Sequence, residues 1–437
     1  MALSSLKETL EPTKLLQELR EHLQRYVEEA PLVASFDPTR PRVRLHEPTY
    51  GIEEIWEALE SLLTTRVTMG EKVRRFENAF AAAFRFPHAL MVNSGSSANL
   101  LALSALTNPA CPARLQPGDE VIVPALSWST TVWPIIQMGL TPVIVDIDPS
   151  TLNIDPNDMQ RAISPKTKAV MLVHVYGNPC DMTAITDLAR RHDLTLIEDC
   201  CEALGASFGG RSVGSFGRVG TFSFYFSHHI TTLEGGMCVT ADQELAELMR
   251  ILRAHGWVRE CADPARYTQA HPEIHPRFLF VNLGYNLRAT ELQGGFGVPQ
   301  LKKLQGFLEI RMANARFWQA ALDDVREFFD VQQETPGGTH SWFGFPMTVK
   351  ASAPFAVGAL TQFLHARGIE TRPIIAGNIA AQPALRFYRH RVVGDLAHAT
   401  QVMQRGFAFG NHQGIGPAAR AYVAEVLHEF AREQKGR

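Results

Sequence analysis

The sequence has no excess of one charge, no long apolar run and no paired cysteine motif. Its 437 residues carry 42 Lys and Arg against 45 Asp and Glu, a net charge of −3. Nothing in that balance favours nucleic acid or an anionic membrane surface as a partner. A spanning helix would need a run of about 18 apolar residues, and none occurs. The opening residues Met1–Glu8 contain neither a basic stretch nor a long apolar core. They do not read as a secretory signal, so a cytoplasmic enzyme is the expectation. The six cysteines, Cys111, Cys180, Cys200, Cys201, Cys238 and Cys261, form no CxxC pair. They read as small buried apolar residues, not as a disulfide framework. The centre of the chain also lacks lysine, with none between Lys168 and Lys302, so that stretch offers no primary amine as a nucleophile.

What is present is an ordinary globular composition, 45% hydrophobic and 20% charged, with a helical opening and an α/β body. Leu6, Leu10, Leu15, Leu16, Leu19, Leu23 and Val27 recur at helical spacing, which predicts a helical N-terminal extension over residues 1–45. Pro38, Pro41 and Pro48 mark an extended linker at its end. Helices are predicted over Glu53–Thr64 and Val73–Phe84, and another opens at Asn93-Ser94-Gly95-Ser96-Ser97-Ala98-Asn99. Short apolar runs follow at Glu120–Pro124, Pro142–Asp146, Ala169–Val175, Thr195–Asp199 and Thr221–Tyr225, with helical patterns such as Met182–Arg191 between them. Such alternation predicts a mostly parallel sheet covered on both faces. A long helical stretch, Glu291–Leu322, leads toward a smaller α+β region. The division expected is a large domain over 46–300 and a small one over 301–437.

Three segments carry chemistry. Gly95 and Ser96 open a helix, where backbone N–H groups and the helix dipole suit a phosphate; a plain serine cap would look the same. Asp199, in Ile197-Glu198-Asp199-Cys200-Cys201-Glu202, falls where ligands of open α/β sheets bind, just beyond a strand's carboxyl end. The third is Thr221-Phe222-Ser223-Phe224-Tyr225-Phe226-Ser227-His228-His229-Ile230-Thr231-Thr232-Leu233-Glu234-Gly235-Gly236.

These segments, with Pro117-Gly118-Asp119-Glu120-Val121-Ile122-Val123-Pro124, His174-Val175-Tyr176-Gly177-Asn178-Pro179 and Gly284-Tyr285-Asn286-Leu287-Arg288-Ala289-Thr290-Glu291, resemble the sugar aminotransferases of the DegT/DnrJ/EryC1/StrS family. The resemblance implies a fold-type I architecture dependent on pyridoxal phosphate (PLP). It also implies a homodimer with its active sites at the subunit interface. Gly95, Ser96 and Ser223 would hold the cofactor phosphate, and Trp128 would stack on the pyridine ring. Asp199 would pair with the ring nitrogen and Glu202 would lie near the ring hydroxyl. Asn286 would reach the phosphate of the neighbouring subunit's cofactor. Arg288 and Arg372 are candidates for a nucleotide diphosphate.

His228 stands where most of the family has the lysine that holds PLP as a Schiff base. An imidazole cannot form that imine, but it remains an acid or base, expected to titrate near physiological pH. Within the family a histidine here marks the 3-dehydratases of 4-keto-6-deoxy sugar nucleotides, which use pyridoxamine phosphate (PMP). That subgroup has proline where this chain has Phe226 and glycine where it has Leu233. An iron–sulfur version of the chemistry needs four cysteine ligands. Only Cys201 and Cys261 fall in the regions that would supply them, so a cluster-free enzyme regenerated by glutamate is expected. An ordinary sugar aminotransferase, a PMP-dependent deoxygenase of an aminocyclitol or antibiotic sugar, and a non-catalytic regulator remain as alternatives.

Overall fold

The computed structural model describes residues 14–30, 32–33 and 35–435. The helix predicted near the N-terminus is present as Lys14–Glu29; its expected beginning, with Leu6 and Leu10, lies outside the described residues. Its Arg20 guanidinium sits 5.5 Å from the Trp56 ring on the next helix, Ile52–Leu63.

An eight-stranded sheet forms the body. In spatial order its strands are His88–Val92, Gly236–Thr240, Val219–Ser223, Thr195–Asp199, Thr167–Val173, Glu120–Pro124, Thr141–Val145 and Arg391–Val392. Seven run the same way; Gly236–Thr240 is antiparallel to both its neighbours. Glu120–Pro124 and Thr141–Val145 are buried along their whole length. Strands covered on both faces read as unbroken apolar runs rather than alternating ones, which is why they were visible in the sequence.

Two strands were misread. His88–Val92 is a strand not among those expected from the sequence; Arg85 separates it from the helix Glu71–Phe84, which it caps in a left-handed conformation, φ 60°. The strand expected at Thr221–Tyr225 is Val219–Ser223. Gly220 is needed inside the strand: a Cβ there would sit 2.5 Å from Gly214 Cα.

A second, antiparallel sheet pairs Phe329–Val331, Gly344–Val349, Gly406–Gly410 and Thr371–Arg372 in that order. Its core includes Trp318, Phe345, Phe407, Phe409, Leu364 and Leu427. The helix Glu291–Ala321 links the two cores. Near its start, Gly297 lets Phe76 lie against the helix, because a Cβ there would come within 2.3 Å of that ring. Near its end, Ala315 and Trp318 pack into the second core. The strand Thr371–Arg372 thereby comes to the carboxyl-terminal rim of the large sheet, where Arg372 and Asp199 line one cavity.

Candidate active site

The cavity, about 290 Å³, lies at the carboxyl ends of the parallel strands, the usual binding position in open α/β sheets. It gathers Gly95, Ser96, Trp128, Asp199, Glu202, Ser223 and His228. Asn286 is not on its lining; its side-chain oxygen accepts from Arg288 Nε at 2.9 Å.

Gly95 opens the helix Gly95–Thr107, capped by Ser94, whose hydroxyl accepts from Ser97 N at 3.0 Å. A Cβ at Gly95 would lie 2.6 Å from Ser223 Cβ and 3.0 Å from Cys201 Sγ. Glycine is therefore required for the helix N-terminus to meet the strand end at Ser223. Ser96 shares a 2.9 Å hydrogen bond with Thr130. Unpaired first-turn N–H groups beside serine hydroxyls make an anion site.

Glu198 and Asp199 point to opposite faces of their strand, as neighbours in a strand must. Glu198, fully buried, accepts from the backbone N–H groups of Gly214, Phe216 and Gly217 at 2.6–2.7 Å and meets His174 Nε2 at 3.1 Å. His174, Glu198 and Cys200 bring possible metal-binding atoms within 4.8 Å of one another. These atoms are already engaged: His174 Nδ1 accepts from Cys180 N, so Nε2 carries the proton toward Glu198. The cluster is a buried pin for the strand. Asp199 faces the cavity. Its carboxylate accepts from Asn99 Nδ2 at 2.8 Å, Thr131 Oγ1 at 2.7 Å and Cys201 N at 3.1 Å. Asn99 is itself fixed by donating to Thr130 O and accepting from Thr221 Oγ1. A carboxylate oriented by three donors presents a fixed acceptor to a cationic N–H.

Trp128 caps the helix Ser129–Gln137 and is 55% exposed. An indole left open at a cavity wall offers a flat apolar face to a flat ligand. Glu202 Oε2 accepts from Tyr176 N at 2.9 Å, and its Oε1 lies 4.0 Å from Arg372 Nη2. Burial pushes the Glu202 carboxyl up to about 7, against the pull of Arg372. A raised acid binds its proton more tightly in the fold. Stability from this group is therefore greatest below about 4.5 and falls as pH rises toward 7. Glu202→Gln removes that loss. Relative to the parent chain, the variant is expected to gain about 2 kcal/mol on going from pH 5 to pH 8. Urea unfolding at the two pH values measures this, and a pH-independent difference would refute it.

The two adjacent histidines have separate fates. His229 is fully buried, its Nε2–H donating to Ser341 O at 3.0 Å, and it anchors the loop. His228 enters the cavity, packed on Phe343 with ring centroids 5.0 Å apart and edge-on to Tyr225 at 6.0 Å. Its Nδ1 is buried without a partner. The expectation of a titration near neutrality is overturned. Burial first, then the charges of Arg372 and Arg311, push His228 down to about 3. At neutral pH the free chain therefore holds it as a neutral base.

Sequence reasoning missed Asn99 and Thr131, which orient Asp199, and Phe343, which packs on His228. Arg372 had been considered only for a nucleotide diphosphate; it lies on the cavity wall beside Glu202, and Arg288 is not on that lining. Leu233 has φ 69°. The resemblance gives glycine at that place, the residue that adopts this conformation without a steric cost.

Buried strand ends, a helix N-terminus and a carboxylate around one cavity define a ligand-binding α/β enzyme. The family model of the DegT/DnrJ/EryC1/StrS aminotransferases matches residues 49–428, and the chain belongs to that family. It is 42% identical over 374 residues to a GDP-4-keto-6-deoxy-D-mannose 3-dehydratase of Yersinia pseudotuberculosis, covering 84% of this chain and 94% of that one. It is 38% identical over 430 residues to a dTDP-4-dehydro-2,6-dideoxy-D-glucose 3-dehydratase of Saccharopolyspora spinosa, covering 95% and 91%. A crystal structure of GDP-4-keto-6-deoxymannose-3-dehydratase with a trapped PLP–glutamate geminal diamine superposes with a TM-score of 0.81 at 37% identity, covering 88% of this chain and all of that one.

Proposed function

We propose that this chain is a PMP-dependent 3-dehydratase that removes the C3 hydroxyl of a nucleotide-linked 4-keto-6-deoxy sugar, with glutamate as the amino donor that restores PMP. One observation carries the reading. Among the described residues the cavity is lined by a histidine, His228, together with Asp199, Trp128 and Ser223, and by no lysine. An aminotransferase of this family would need an amine there.

The residues fit the cofactor. The crowding of Gly95 against Ser223 and Cys201 leaves a cradle of backbone and hydroxyl donors that suits a phosphate. Trp128 offers the stacking face. Asp199 offers a fixed carboxylate for a protonated ring nitrogen, and Glu202 lies one turn beyond it. When bound, PMP supplies an amine that condenses with a ketone and a ring that accepts electrons. His228, neutral and without a partner at Nδ1, accepts a proton at its ring and returns one to the departing hydroxyl. Once protonated, the imidazolium is stabilised by the anionic groups that substrate and cofactor bring close to it. Arg372, beside Glu202 on the cavity wall, is placed to hold a carboxylate or phosphate of the incoming substrate.

The cluster-free version is favoured by the cysteines. Cys201 is on the cavity wall, whereas Cys261 belongs to a separate small core with Ile251, Val258 and Leu279. A homodimer is favoured by the segment before Asn286, which exposes Phe278, Phe280 and Leu283; Asn286 would then serve the neighbouring copy's cofactor. Light scattering of the purified chain tests that. Six free thiols and a nucleotide-sugar substrate fit a reducing, cytoplasmic setting. No helix among the described residues is long and apolar enough to cross a membrane.

The test is product mass. GDP- and dTDP-linked 4-keto-6-deoxy sugars are incubated with the chain, PMP and glutamate. The expected product lacks the C3 oxygen and has gained no nitrogen. An amino sugar as the sole product would make the chain an aminotransferase, and no product with any 4-keto sugar nucleotide would refute the enzyme reading.

A further inference from the structure

The segment Val43–Tyr50 runs between the second sheet and the loop that carries His228, touching both. At one end, Val43 N donates to Gly368 O at 2.8 Å and Glu370 N donates to Val43 O at 2.8 Å, so the segment pairs with the chain leading into Arg372. Leu45 N reaches the Glu370 carboxylate at 3.2 Å. In the middle, His412 donates to Arg44 O, and Gln413 Nε2 donates to Glu47 O and Pro48 O. At the other end, His46 packs edge-on against Phe226 with centroids 5.1 Å apart, and Tyr50 contacts both Phe226 and Phe296.

Gln300 fixes the same end from the long helix. It is fully buried, and both its side-chain atoms are used twice. Its Oε1 accepts from Thr49 Oγ1 at 2.6 Å and Thr231 N at 3.0 Å; its Nε2 donates to Thr49 O and to Glu54, both at 2.9 Å. A buried amide with every hydrogen bond made is a rigid joint, because losing any partner leaves a polar atom stranded. Here it joins the Val43–Tyr50 segment to the residue three places beyond His228.

Phe226 and Leu233 are the two places where this loop departs from the resemblance. The proline that would stiffen the backbone at 226 and the glycine that would relieve it at 233 are both replaced. The aromatic contact of Phe226 with His46 and Tyr50 supplies from outside the loop the restraint that a proline would supply from within.

We propose that Val43–Tyr50 is a strap that sets the placement of His228 relative to Arg372, and that Phe226 and Gln300 are positioning residues through which it acts. This rests on His228 being the base of the reaction. The strap holds the two sides of the cavity at a fixed separation and keeps the imidazole dry. Arg372 and Arg311 are the charges that face His228; His229 adjoins it, and Asp199, Glu202 and Glu234 share its cavity. Releasing the loop admits water to the ring and changes both its orientation and its proton affinity.

The experiment compares Phe226→Ala, made on the loop side, with His46→Ala, made on the strap side, and Phe226→Tyr as the conservative control. Two readouts are taken: kcat and KM for dehydration, and the hydrogen–deuterium exchange of the His228 ring Cε1–H in the ligand-free chain at neutral pH, where the fold is intact. Both alanine variants are expected to lower kcat about tenfold with KM and PMP affinity little changed, and to speed the His228 exchange about threefold or more as water reaches the ring. The tyrosine variant should restore both. An unchanged His228 exchange rate in both alanine variants would overturn the strap. If the parent chain dehydrates no sugar nucleotide but the exchange is faster in the variants, the functional reading fails and the strap stands. His46 is a half-buried ring on the strap, outside the loop, so the test survives even where Phe226→Ala folds poorly.

Discussion

His228→Asn is expected to abolish sugar dehydration, by about 10²–10⁴-fold in kcat, while PMP binds within a few fold of its affinity for the parent chain. Asparagine matches the imidazole in size and can still donate a hydrogen bond, but it cannot take up a proton. The groups assigned to the cofactor, Asp199 with its three donors, Trp128 and the Gly95–Ser223 cradle, make no hydrogen bond or ring contact with His228, so their arrangement is untouched. Affinity is read by fluorescence or calorimetry and turnover by loss of the C3 oxygen. A variant with undiminished turnover would mean that another group moves the proton, and Glu202, held at about 7 in the same cavity, would be the first to examine.

The second large effect is acid lability of the free chain. His228 and His412 are pushed down to about 3, and His229 and His340 well below the ordinary value; burial is the leading cause in each. A histidine with a depressed folded value is neutral in the fold while its unfolded counterpart, near 6.5, takes up a proton. Its stabilising contribution is therefore complete above about 6.5 and is lost as pH falls toward 3. For His228 and His412 each pH unit below about 6.5 costs roughly 1.4 kcal/mol, so the two together cost about 4 kcal/mol by pH 5, and His229 and His340 act in the same direction. Native stability is about 5–15 kcal/mol, so a large share of it is expected to be gone by pH 5, above the range in which most carboxylates titrate. Urea unfolding followed by circular dichroism at pH 7 and pH 5 measures it. A stability unchanged between the two would mean that the fold does not hold these rings neutral. Arg311 sharpens the effect. It is buried, donates to the carbonyls of Trp342, Phe343 and Asn411, and meets no carboxylate among the described residues. Its charge adds to the cost of protonating His228, His229 and His412.

The sheet and the cofactor-side groups were legible for a physical reason. Parallel strands buried on both faces are continuous apolar runs, and residues that line the cavity stand at their ends, as Asp199 and Ser223 do. Residues that act through distant partners were not legible. Asn99 looks like any polar residue in a helix's first turns, and its meaning appears only when Asp199 and Thr221 are brought to it. Phe343 and Arg372 arrive from a different sheet. The proton affinity of His228 is set by burial and by two arginines far along the chain, none of which is written beside it. His229 shows the converse: a repeated histidine suggests paired chemistry, and only the fold separates the ring that enters the cavity from the anchor.

The one reversed strand of the large sheet, Gly236–Thr240, lies beside Val219–Ser223. The chain between them, residues 224–235, must therefore leave and return at the same rim, as a hairpin whose feet are both tied to the sheet. A segment fixed in this way behaves as a cartridge: its contents can be exchanged without re-registering a single strand. Over evolution, an amine-bearing hairpin and an imidazole-bearing one can be traded on an unaltered scaffold, and a new reaction then requires only that the replacement loop be braced from outside.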